Sequence, residues 1–106
     1  MNNENCSVLL DSFHKNLSRR FGLRECHINL IYYTVMIDNH RDVLCALNIS
    51  SSYYYKLFDS IKISLNFPPF SRASDLTFFY FTELFLFAFE NTFYPSFISF
   101  SFRNTH

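Results

Sequence analysis

Glycine is almost missing from this chain: Gly22 is the only one in 106 residues. Turns that need positive φ therefore fall to asparagine, which tolerates the left-handed region better than other side chains. An excess of either charge is missing too, because nine Lys and Arg balance nine Asp and Glu. Nothing in that balance recruits a polyanion, so nucleic acid is excluded as an expected partner, and colloidal protection is weak. Paired cysteines are absent as well: Cys6, Cys26 and Cys45 are an odd set with no CxxC spacing. A full disulfide framework is thereby excluded, and a reducing, intracellular compartment is the simpler expectation. The first residues, MNNENCSVLLD, lack a basic n-region, and the apolar run Val8-Leu9-Leu10 is too short for a signal peptide. The sequons at Asn5, Asn16 and Asn48 would matter only after luminal entry. No internal repeat is visible.

What is abundant is aromatic side chain, with 15 Phe and 7 Tyr. A chain this long supports one core, burying roughly 60 to 70% of the surface its unfolded form exposes. The clearest element is a helix from about Ser7 to Phe21, where Leu10, Phe13, Leu17 and Phe21 recur at three- and four-residue steps. Ser7 suits its N-cap, Arg19 and Arg20 its last turn, and Gly22 its C′ position. Residues 28–37 are β-branched and aromatic and predict a strand buried on both faces. After the polar break 38–42, the run 43–49 completes a hairpin or starts a helix near Asp42. Beyond Tyr53-Tyr54-Tyr55, Ile61, Ile63, Leu65 and Phe67 alternate with polar residues and predict a second strand, ended by Pro68-Pro69. The expected fold class is α+β: an amphipathic N-terminal helix, short apolar strands or helices, then a Phe-rich segment. The corresponding division is an amphiphilic region 1–67, a connector 68–75, the Phe-rich segment 76–102 and a polar tail 103–106.

The segment from Leu76 to Phe102 dominates the functional reading. On a helix, Asp75, Thr82, Glu83 and Glu90 gather on one side, a stripe expected to face water or lipid headgroups. A span needs ~20 apolar residues, and this run yields fewer before Glu90-Asn91 and Pro95. Seven Phe and three Leu between positions 76 and 94 contribute roughly −3 to −6 kcal/mol toward insertion. A mid-span Glu83 opposes this by about 2.5 to 3.5 kcal/mol. The segment is therefore a marginal transmembrane or interfacial helix, and an inserted form would keep its N-terminal side cytoplasmic, since Lys56, Lys62 and Arg72 outnumber Arg103. Strands are also readable, with Phe85, Phe87 and Phe89 alternating with Leu84, Leu86 and Ala88, and Ile98, Phe100 and Phe102 alternating with Ser99 and Ser101. Three destinations follow: a lipid bilayer met through Leu76 to Phe102, the core of a small or oligomeric soluble fold, or a disordered, aggregation-prone tail.

Motifs that would carry chemistry fail on spacing. His40-Arg41-Asp42 shares its letters with a kinase catalytic loop, but Asn48 lies one position too far on and Gly22 alone cannot build a phosphate loop. Cys26, His27, His40 and Cys45 are ligand-type side chains without the close pairs of a zinc site. The same Cys and His residues offer no nucleophile dyad, lacking an orienting group and an oxyanion donor. Asp38 with Asp42 and Glu83 with Glu90 are paired carboxylates in spacing only. Lys15, Arg19, Arg20 and Arg24 make the first helix basic toward its end, which ordinary dipole complementation explains; an anionic partner there would be lipid ahead of nucleic acid. No catalytic, cofactor or metal residue is therefore assigned.

The leading expectation is a small, non-enzymatic, membrane-associated protein of the cell interior. A soluble interaction module is the second reading. A third comes from the genetic code: Phe codons are the reverse complements of Lys and Glu codons, so a Phe-rich, Lys- and Glu-poor stretch is what appears opposite a Lys/Glu-rich gene. On that reading the frame has no selected function. A longer open frame on the opposite DNA strand would favour it.

Overall fold

A computed structural model describes residues 3–92, and among these the chain is all-helical. Five helices follow one another: α1 Asn3–Phe21, α2 Glu25–Met36, α3 His40–Leu47, α4 Ser51–Ser64 and α5 Ala73–Thr92. The expected α+β class is thus corrected, since no strand occurs among the described residues.

Helix α1 follows the apolar stripe read from sequence, with Phe13 and Leu17 fully buried. It begins four residues before Ser7, which lies inside the helix. Gly22 at φ 65° closes it, and the Leu23 N–H donates back to the Ser18 carbonyl at 3.2 Å. Among the described residues the other positive-φ positions are both asparagines, Asn48 at 57° and Asn66 at 59°, each directly after or just beyond a helix end. Each stands where a chain short of glycine needs its turn residue.

The predicted strand 28–37 is instead most of α2. An apolar run of this length has no periodicity that separates a buried strand from a buried helix, and the local capping decides. The Arg24 backbone N–H donates to His27 Nδ1 at 3.1 Å, which starts the helix at Glu25. The expected strand buried on both faces is thus corrected to a helix: Ile28, Leu30 and Ile31 are buried, and α2 packs on all four other helices. A helix that is apolar around most of its circumference belongs in the centre.

Helix α3 replaces the predicted hairpin arm and takes the alternative start near Asp42. Asn39 Oδ1 accepts the Arg41 N–H at 2.8 Å, capping it two residues earlier, and Asn48 ends it.

The period-two pattern 61–67 misleads for a clear reason. Its first residues complete a longer helical stripe, Tyr54, Leu57, Phe58 and Ile61, all buried in α4. Ser50 Oγ accepts the Tyr53 N–H at 3.1 Å at its start. The alternation leaves a trace, because Ile63 is 80% exposed on the outer side of α4. Between α2 and α4, Thr34 Oγ1 and Tyr54 Oη are 3.0 Å apart, pairing two hydroxyls inside the contact.

Candidate functional site

Helix α5 is the part of the fold that has two apolar faces. Its start is fixed by Asp75, whose Oδ2 accepts the Arg72 N–H at 2.7 Å. From there the inner face runs through Leu76, Phe79, Tyr80, Glu83, Leu84 and Phe87. Leu76 and Tyr80 are fully buried. The Tyr80 ring meets Phe13 edge-on at 5.2 Å, and its Oη lies 3.0 Å from His14 Nε2. Phe79 meets Phe21 edge-on at 5.1 Å, while Phe87 lies 5.5 Å from Phe13. These contacts step in opposite sequence directions, so α1 and α5 are antiparallel.

Glu83 sits where α5 passes the end of α1, and its Oε1 accepts from Arg20 at 2.6 Å. The guanidinium also lies 4.9 Å over the Phe21 ring. Of the expected polar stripe, Asp75 and Thr82 are exposed, whereas Glu83 turns toward α1, and phenylalanines share the outward side. The transmembrane expectation is corrected with it, because no helix among the described residues is long and apolar enough to cross a membrane.

The outward face carries Ser74, Phe78, Phe81, Phe85 and Ala88, all exposed. Phe78 is 76% exposed, Phe81 49% and Phe85 69%. Beside them, Phe70 in the loop before α5 is 83% exposed. A shallow depression of about 580 Å³ runs along this face, lined among others by Ser74, Phe78, Phe81, Thr82 and Phe85. A second groove of about 400 Å³ adjoins it, walled by Phe67, Phe70, Phe78 and Phe79. Asp75 and Glu83 also line the second groove, where Asp75 accepts the Arg72 N–H and Glu83 accepts from Arg20.

The ligand-type residues read from sequence are not brought together. Cys26 is half-buried and His27 buried on α2, Cys45 is exposed on α3, and His40 starts α3 with its ring edge-on to Tyr54 at 4.8 Å. Among the described residues no group of His, Cys, Asp and Glu could hold a metal ion. Asp38 and Asp42 are exposed at the start of α3, outside any cleft. His40-Arg41-Asp42 forms the first turn of that helix. Of the basic residues of α1, Arg20 is engaged by Glu83 and Asn16, whereas Lys15 and Arg19 are exposed.

Sequence reading missed the polar pair inside the aromatic cluster. His14 follows Phe13 in the stripe, and its ring lies 5.2 Å from Tyr32 and 5.9 Å from Tyr80. Burial lowers the His14 pKa below its ordinary 6.5, against the opposing pull of Asp11. Burial also raises Tyr80 to about 12, with Tyr32 adding to the shift. Both groups are therefore held neutral, and Tyr80 Oη and His14 Nε2 stand in hydrogen-bond contact. His27 is lowered from 6.5 as well, first by burial and then by Arg24, and its Nε2 is buried without a partner. For both histidines the unfolded chain takes up a proton before the folded one does. Their contribution is complete above pH 6.5 and is lost as the pH falls below it toward the folded values. The midpoint of thermal unfolding is accordingly expected to drop as the pH falls below about 6.5, and His14→Gln with His27→Asn should flatten that slope. A slope unchanged by the double variant would contradict the assignment.

No protein-family model, curated protein or solved structure matches this chain.

Proposed function

We propose that the protein is a non-enzymatic helical interaction module whose working surface is the outer face of α5. One observation carries this reading: Phe78, Phe81 and Phe85 stand exposed in consecutive turns of one helix, with Phe70 beside them. At about 200 Å² per ring, the exposed aromatic and Leu86 surface amounts to roughly 500 to 700 Å², at or above the largest apolar patch of a typical monomer. Support for a selected function comes from agreement between levels. Asn39, Ser50 and Asp75 cap helix starts, and Gly22, Asn48 and Asn66 take the positive-φ turns. A frame merely read opposite another gene has no reason to place all of these correctly.

A second reading keeps the lipid surface as partner, with α5 lying in the interface rather than crossing it. The same exposed phenylalanines favour it, and the location would be the cytoplasmic side of a membrane, where Cys26 and Cys45 stay reduced. Against it, α5 has Asp75, Glu83 and Glu90 but no Lys or Arg, whereas interfacial helices are rich in cations.

The test is binding of a hydrophobic fluorescent dye to the full chain and to Phe78→Glu/Phe85→Glu. The expected result is strong binding by the parent and loss of more than half the signal in the variant at unchanged helicity. Equal signal from both would contradict the reading.

A further inference from the structure

The outer face of α5 has a spacing of its own. Ser74, Phe78, Phe81, Phe85 and Ala88 are separated by four, three, four and three residues, the seam of a two-helix contact. All five are exposed, and no charged residue falls among them. We infer that this seam packs against the same seam of a second copy, with the two α5 helices antiparallel. The inference rests on the reading of the outer face as an interaction surface and names its partner.

Three observations select a second copy. The first is shape. Phe78, Phe81, Thr82 and Phe85, at i, i+3, i+4 and i+7, are among the residues lining the 580 Å³ depression, and four residues so spaced form the hole that receives one side chain from a facing helix. The second is the order of sizes along the seam. In an antiparallel pair, Phe78 lies opposite Ala88 of the other copy and Phe81 opposite Phe85, and the two-fold axis repeats both layers. Large then meets small at the ends. A parallel pair would stack three Phe on their own copies and leave Ser74 and Ala88 facing gaps, with the helix dipoles aligned. The third is area. Phe78, Phe81 and Phe85, with Leu86 and Phe89 flanking them on α5, expose roughly 500 to 600 Å² of apolar side chain per copy, which approaches the ~800 Å² per partner of a standard interface. An isologous contact of this kind needs no complementary charge, and α5 offers none to a cationic or anionic partner on this seam.

Sedimentation equilibrium of the full chain, parallel flotation with phosphatidylcholine vesicles and dye binding distinguish the outcomes. The parent is expected to be a dimer. Phe81→Glu and, independently, Phe85→Glu should weaken association at least a hundredfold, and Ile63→Glu, on the exposed side of α4, should leave it unchanged. Ala88→Phe probes the layering: it overpacks the Phe78 layer and should weaken the dimer at least tenfold, although it makes the face more apolar. Far-ultraviolet circular dichroism confirms that each variant keeps the parent helicity, and the two Glu variants back each other should one fail to fold. A dimer indifferent to Phe81→Glu, Phe85→Glu and Ala88→Phe would overturn the inference by placing the contact elsewhere. A monomer that binds dye or floats with vesicles would overturn the second copy and leave the interaction surface standing. A monomer that does neither would overturn both.

Discussion

Replacing Tyr80 by alanine is expected to lower the unfolding free energy by about 3 to 5 kcal/mol. Tyr80 is fully buried at the place where α1, α2 and α5 meet, touching Phe13, His14, Tyr32 and Phe81 through its ring. Truncation to Ala removes the apolar ring, its edge-on contact with Phe13 and the hydroxyl that faces His14 Nε2. No neighbour is placed to collapse into the space without abandoning its own contacts, so the cavity persists and the cost stays at the upper end of the range. Tyr80→Phe separates these contributions. It keeps the ring and removes only the hydroxyl, so about 1 kcal/mol is expected to be lost. It should also steepen no part of the pH profile, because His14 remains neutral above its lowered pKa. Chemical denaturation of the three proteins, followed by circular dichroism, checks the ranking. Nearly equal losses for the Ala and Phe variants would show that the hydroxyl, and not the ring, holds α5 to α1.

The parts of this fold legible in the sequence are those set by local chemistry. The α1 stripe, its closure at Gly22 and the use of Asn at positive φ needed no partner to be read. The centre of the fold was not legible, for two different reasons. In α2, apolar residues on nearly every side erase the period that separates helix from strand, and the deciding signal is the backbone bond to His27 Nδ1. In α4, a four-residue alternation at Ile61 to Phe67 hid the longer stripe from Tyr54 to Ile61, which burial then selected. β-branched residues add only a weak preference, and a completed core overrides it.

The outer face of α5 escaped for a third reason. Phenylalanines on both sides of α5 leave no mark of which side faces in, and the polar residues Asp75, Thr82, Glu83 and Glu90 divide between exposed and half-buried positions. What orients it lies some sixty residues earlier in α1: Phe13 and Phe21 provide the ring contacts, and Arg20 draws Glu83 inward. Arg20 is half-exposed, so its pair with Glu83 adds little stability. Its effect is directional, since rotating α5 would leave Glu83 against phenylalanine and both acid and guanidinium without their partner. The insertion arithmetic treated Glu83 as a lone carboxylate opposing a span. In the fold it is a paired group on the inner side, while the burial of Leu76 and Tyr80 sets which phenylalanines remain outside.

The central claim is this division of α5 into an inner and an outer face, and two residues one position apart on either side of Thr77 test it. Leu76 is fully buried and Phe78 is 76% exposed. Denaturant unfolding of Leu76→Ala and Phe78→Ala, at protein concentrations low enough for the chain to be monomeric, compares the faces directly. The account predicts a loss of about 2 to 5 kcal/mol for Leu76→Ala and less than about 1 kcal/mol for Phe78→Ala, although the second deletes the larger side chain. The reverse order, with Phe78→Ala the more damaging, would contradict it.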